Sequence, residues 1–215
     1  MTAFFNITII AELTTFVASL YLLDKKTTVW RLFIPWLFLV LLTETAGWYI
    51  ANILRIRSNA LLYNILLLIS SAFFLWFLNR KVVPEKIKKA FSLIIVSFIL
   101  FGIINLFFFQ GFHKYNSLSE TAGDIILSVL CCYFLFSLVK NPEHTSLLQM
   151  DYFWLANGLL FYSLGNALLY QFSGLLNSYR IETGVNIGNY INYSVNLVLH
   201  ICLIIAFVCR RKATR

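Results

Sequence analysis

Four ionisable residues stand inside long apolar runs of this chain: Glu12, Glu44, Asp124 and His200. A charged side chain near the centre of a bilayer costs about 2.5–3.5 kcal/mol on insertion scales, so it normally turns from lipid towards a partner. Carboxyl groups and an imidazole gathered in one bundle can move a proton, balance a cation or orient a polar solute. Each of the four also belongs to a polar stripe at helical spacing. Glu12 shares its stripe with Thr8, Thr15 and Ser19, and Glu44 with Trp48 and Asn52. Asp124 aligns with Thr121, Ser128 and Cys132, and His200 with Asn196, Asn192 and Asn189. A further stripe holds Gly158, Tyr162, Asn166 and Tyr170. Residues three or four apart lie on one helix face, so these stripes give five faces that avoid lipid. The third and fourth apolar runs carry less (Tyr63, Asn64 and Ser71; Asn105) and are expected at the periphery.

Depth brings the stripes to one level. Glu12 lies eight residues beyond Phe4, and Glu44 nine residues before Ile53. At about 1.5 Å per residue, both sit roughly 12–14 Å below the same surface. Ser128, Tyr162 and Asn196 fall at similar depth, with Asp124, Asn166 and Asn192 above them and His200 one turn further in. The expectation is an outward-facing polar cavity lined by Glu12, Glu44, Trp48, Asp124, Ser128, Tyr162, Asn166, Asn192, Asn196 and His200. The competing reading is helix glue: polar side chains between membrane helices contribute about 0.6 kcal/mol each on average. Aromatic residues at helix ends, such as Trp30, Tyr152 and Trp154, are expected as anchors at the membrane interface.

The elements that must position these groups are plain in the composition. Of 215 residues, 60% are hydrophobic and 12% charged, against about 25% charged in a soluble domain. Mean hydropathy is +0.80. The chain reads as all-α, a polytopic membrane protein with one domain over 1–215. A spanning helix needs about 20 apolar residues, and seven segments meet that length: 4–23, 29–53, 59–78, 90–109, 120–139, 151–172 and 189–209. The start lacks the basic region of a cleaved signal, and Glu12 interrupts its apolar run, so it is expected to be retained. Cys131, Cys132, Cys202 and Cys209 all fall in or at the end of apolar runs and are expected as small buried hydrophobes.

Lysine and arginine set the orientation. With the N-terminus outside, thirteen of the seventeen basic residues lie on the cytoplasmic side, and Arg55, Arg57, Lys114 and Arg180 remain outside. The C-terminus is then cytoplasmic. The net charge of +8 describes a cytoplasmic rim facing anionic lipid head groups. No folded basic module is present, so nucleic acid is not an expected partner. The expected location is a cell membrane of the bacterial inner-membrane type.

Several activities lack their residues. Retinal binding needs a lysine inside the last span, and none is there. Zinc hydrolysis needs ligands at one depth, whereas His113, His144 and His200 fall outside, inside and in the middle of the membrane. No hydrolase or phosphate-loop motif occurs. No cofactor, metal or catalytic residue is expected, and an enzyme would have only Glu12, Glu44 and His200 to work with. Seven-helix sugar transporters share the topology, but their Pro-Gln motif is missing, and only Pro35 interrupts a span.

The stretch Phe153-Trp154-Leu155-Ala156-Asn157-Gly158-Leu159-Leu160-Phe161-Tyr162-Ser163-Leu164-Gly165-Asn166 resembles the sixth helix of uncharacterised bacterial seven-helix membrane proteins. These in turn resemble the membrane sensor regions of two-component kinases. The Asn-rich seventh helix and its basic tail are similar as well. The resemblance implies a sensory or signalling role, with any output passing through a partner protein, and the cavity is expected to take an unknown small ligand. A carrier for a small polar or cationic solute, proton-coupled through Glu12 and Glu44, is the alternative, and a structural subunit is a third.

Overall fold

The computed structural model describes residues 2–23, 29–56, 58–140 and 146–214. Lys25, Lys26, Arg57, His144 and Arg215 lie outside the described residues. Every regular element among those described is helical: α1 (Thr2–Leu22), α2 (Phe33–Asn52), α3 (Ala60–Val82), α4 (Glu85–Ile104), α5 (Ser117–Lys140), α6 (Asp151–Gln171), α7 (Ser173–Thr183) and α8 (Ile187–Ala213). A 3-10 turn at Trp30–Leu32 leads into α2, and a π-helical turn at Asn105–Gln110 extends α4.

Five helical stretches are long and apolar enough to cross a membrane: Trp30–Asn52, Ala60–Arg80, Lys88–Gln110, Ser117–Lys140 and Ile187–Ala213. The pair Asp151–Gln171 and Ser173–Thr183 qualifies as a sixth if taken together, although it bends by 69°. In α1 the apolar stretch Ile7–Leu22 is shorter. The residues expected to form the connection at 173–188 thus contain a helix of their own.

Helix ends follow local chemistry. Proline disfavours helix in the residue before it, and Val83 before Pro84 is extended, at φ −81° and ψ 126°, which separates α3 from α4. Gly184 ends α7 with a left-handed φ of +73°, its N–H donating to the Arg180 carbonyl at 2.9 Å. Glycine takes that conformation without the Cβ penalty. Asn186 caps α8, its side chain accepting from the Asn189 N–H at 3.2 Å. Arg210, Arg211 and Lys212 close α8, where positive charge complements the helix dipole.

The chain divides into two compact units, Met1–Leu41 with Cys131–Arg215, and Leu42–Leu130. In the first, α8 packs against α6 and α1. Asp151 at the start of α6 pairs with Arg210 near the end of α8 at 3.3 Å, so the two helices run antiparallel. A Cβ on Gly158 would stand 2.6 Å from the Cβ of Cys202, and one on Gly165 would meet the Val195 side chain. Two glycines seven residues apart, on one face of α6, therefore let the backbones close up. The polar stripe of α1 is buried (Glu12 2%, Thr15 and Ser19 0% exposed), while Ile7, Ile10, Leu13, Val17 and Leu20 are exposed. An apolar outside around a polar inside is the arrangement that lipid demands.

In the second unit α3 packs against α4. Asn64 is buried while Leu61, Ile65 and Ile69 on the same helix are exposed, and α5 repeats the pattern with Glu120, Asp124 and Ser128 inside and Leu118, Ile125 and Val129 outside. Trp30 departs from the anchor role expected of it. It is 1% exposed and belongs to the first unit's core, stacked on Phe33 and edge-on to Tyr152 and Phe207. Of the cysteines, Cys131, Cys202 and Cys209 are buried, but Cys132 is exposed.

Candidate functional site

The ten residues singled out from the sequence fall in both units. The first unit holds Glu12, Tyr162, Asn166, Asn192, Asn196 and His200, and the second holds Glu44, Trp48, Asp124 and Ser128.

In the first unit Thr15 and His200 meet, with Thr15 Oγ1 3.1 Å from His200 Nδ1. Thr15 Oγ1 also donates to the Ala11 carbonyl at 2.7 Å. His200 is thereby tied to α1 at the level of Glu12, one turn away on the same stripe. Asn166 is 3% exposed on the α6 face and Tyr162 half-buried. Asn196 turns back on its own helix, its amide donating to the Asn192 carbonyl at 2.8 Å and to Asn192 Oδ1 at 3.0 Å. Asn196 therefore orients Asn192.

Asn192 reaches an open cavity. Where α6 breaks into α7, a cavity of about 260 Å³ is lined by Tyr170, Ser173, Asn177, Arg180, Asn186 and Asn192, among others. The geometry of α6 and α8 explains its place. The two helices are pinned at one end by Asp151 and Arg210 and drawn together by Gly158 and Gly165. Beyond Gln171 the chain bends by 69° into α7, and polar side chains line the opening. Ser173, Asn177 and Arg180 recur at steps of four and three, so one face of α7 looks onto α8. The other face carries Leu175 and Tyr179, both exposed.

In the second unit Glu44 accepts a hydrogen bond from the Tyr63 hydroxyl at 3.1 Å. Gly47 allows that approach, since a Cβ there would stand 2.5 Å from Tyr63 Oη. Trp48 is exposed, and Asn52 donates to the Trp48 carbonyl of its own helix. Asp124 and Ser128 are buried on α5, with Glu120 one turn before them, and Asp124 Oδ2 has no hydrogen-bond partner among the described residues.

The dominant polar feature of this unit was expected to be peripheral. Asn116 accepts at Oδ1 from the Asn105 amide and from the Ser119 N–H. It donates from its amide to the Gly102 carbonyl and from its backbone to Asn64 Oδ1 at 2.8 Å. Asn64 in turn donates to the Lys114 carbonyl at 2.9 Å. Asn64, Asn105, Asn116 and Ser119 are all buried and all bonded. Periodicity within spans gave no sign of this, because Asn116 precedes the fifth run and Asn105 is alone in the fourth.

The cavity residues missed in the sequence were Ser173, Asn177, Arg180 and Asn186, all within the expected connection between the last two spans. A signal was there: the Ser173/Asn177/Arg180 spacing opposite Leu175 and Tyr179 is that of a short amphipathic helix. Among the described residues no three His, Cys, Asp or Glu side chains gather as a metal ion would require. No family model, curated protein or solved structure matches the chain.

Proposed function

We propose that the chain is a seven-span membrane sensor or signalling component that recognises a small polar ligand in the α6–α7–α8 cavity and passes its state to a separate protein. One observation carries this reading. The 27-residue helix α8 lines the cavity with Asn192 at its start and carries Arg210, Arg211 and Lys212 in its last turn. At about 1.5 Å per residue such a helix is some 40 Å long. A ligand that draws α7 onto α8 thus bears on a single rigid element with a basic far end. The cavity's size and mixed lining suit a small solute, since small-molecule sites combine an apolar wall with a few convergent polar groups. The resemblance of α6 to sensor regions points the same way. The 69° break between α6 and α7 favours a carrier as the second reading, because carriers commonly place solute sites at broken helices.

The test is binding followed by flux. Purified protein in detergent is screened by thermal shift against amino acids, sugars, amines and phosphorylated solutes. A ligand that binds only the folded state stabilises it by about 2.7 kcal/mol at a hundredfold excess over Kd. A compound should raise Tm, and Asn192→Leu should abolish the rise without unfolding the unliganded protein. Binding with no accumulation in proteoliposomes is the sensor result, and accumulation makes the protein a carrier. If no compound shifts Tm, the ligand-binding reading fails.

The same reading counts α1 as a span, with the N-terminus outside and the C-terminus cytoplasmic, from the charge bias. A reporter fused after Arg215 should then be cytoplasmic, and one inserted at Asn177 should be outside. Both on one side would change the span count by one.

A further inference from the structure

Arg180 stands between two cavities. It lines the one at the α6–α7 break, about 260 Å³, and a second of about 440 Å³ that it shares with Asn186, Asn189, Tyr190 and Tyr193. Arg180 and Asn186 are the residues common to both. No carboxylate lines either cavity, and the Arg180 guanidinium makes no hydrogen bond or ion pair among the described residues. Around a fixed positive charge stand only neutral donors and acceptors: the amides of Asn177, Asn186, Asn189 and Asn192 and the hydroxyls of Ser173 and Tyr193. The charge of the site is therefore +1 before a ligand enters. A cation would be repelled and an anion attracted.

We propose that Arg180 and the amides around it form a binding site for a phosphodiester. Resting on the ligand-binding reading above, this names the ligand's chemistry. The guanidinium fork pairs two N–H donors with two oxygens of a phosphate or carboxylate. The two cavities decide between these anions. A carboxylate bears one substituent, whereas a phosphodiester seated on Arg180 extends one ester arm into each cavity. Asn192, oriented by Asn196, faces the arm on the α6 side, and Asn189 and Tyr193 face the other. The phosphodiester belongs either to a lipid head group or to a soluble ester. Leu175 and Tyr179 on the opposite face of α7 are exposed, as in an amphipathic helix lying in the head-group layer.

The experiment uses the full chain in an uncharged detergent with three probes: dihexanoylphosphatidylglycerol, its deacylated form glycerophosphoglycerol, and dihexanoylglycerol, which has the acyl chains without the phosphate. Stabilisation by the first two establishes a phosphodiester site open to soluble esters, and stabilisation by the first alone makes the ligand a lipid. Arg180→Gln should raise the apparent Kd about tenfold or more, the effect of removing charge-assisted hydrogen bonds. Arg180→Lys, which keeps the charge but not the fork, should fall between. Arg180 is exposed, so its variants should keep the unliganded Tm. Asn189→Leu gives a second reading from the other cavity and should weaken binding without changing Tm. The proposal is overturned if dihexanoylglycerol stabilises as well as the phospholipid, if Arg180→Gln binds unchanged, or if neither phosphodiester stabilises. In that last case a Tm shift with another compound would leave the ligand-binding reading standing and remove only the phosphodiester.

Discussion

Each compact unit holds a cluster of asparagines, and the two clusters are used in opposite ways. In the second unit Asn64, Asn105 and Asn116 are 0–2% exposed and bonded to one another or to backbone carbonyls. In the first, Asn177 and Asn192 are exposed, and Asn186 and Asn189 half-buried, along open cavities. A buried amide with every partner inside its unit has no capacity left for a ligand, while an amide on a cavity wall has. Polar residues in an apolar chain thus divide into those that close a structure and those that leave it open, and residue type does not say which.

The sharpest way to break this comparison is at Asn116. Asn116→Leu strips partners from Asn105, from the Ser119 N–H and from the Gly102 carbonyl. Interhelical bonds in membranes average about 0.6 kcal/mol, but each buried group left unpaired costs about 1–3 kcal/mol. The expected loss is about 2–4 kcal/mol, read as a fall in Tm of the purified protein. A loss below about 1 kcal/mol would mean that this network does not hold its unit together, and the contrast with the cavity asparagines would collapse.

A smaller effect is expected where the first unit is tight. Gly158→Ala places a methyl group against Cys202, and overpacking of this kind costs about 1–3 kcal/mol. Cys202→Gly vacates that space, so in a double-mutant cycle the second change should recover part of the loss, about 0.5 kcal/mol or more of coupling. Additive effects would show that α6 and α8 do not meet at this pair. The close approach of the two helices before the bend would then need another cause.

How much of this was legible before folding differs from group to group. Glu44 is visible as an acid inside an apolar run that needs a partner, but Tyr63 as that partner is not. The two are nineteen residues apart on different helices, and no periodicity within one helix encodes a contact between two. Thr15 and His200, separated by 185 positions, were each on a polar stripe, and only packing joined them. Asn116 gives no such signal, because a polar residue just before an apolar run reads as loop.

The sequence by itself determined that the chain is helical and apolar, because 60% hydrophobic residues in runs of about twenty have few other ways to satisfy their backbone hydrogen bonds. It also determined which faces of α1 and α5 are polar, since helical spacing is local. Only the tertiary structure decided which polar groups pair off and which line a cavity. That depends on how closely two helices approach, and for α6 and α8 the approach is close at Gly158 and Gly165, two turns apart, and is lost where the chain bends into α7. Arg180 shows the difference most plainly: in the sequence it is one of four outer charges, and in the fold it is the charge between two cavities.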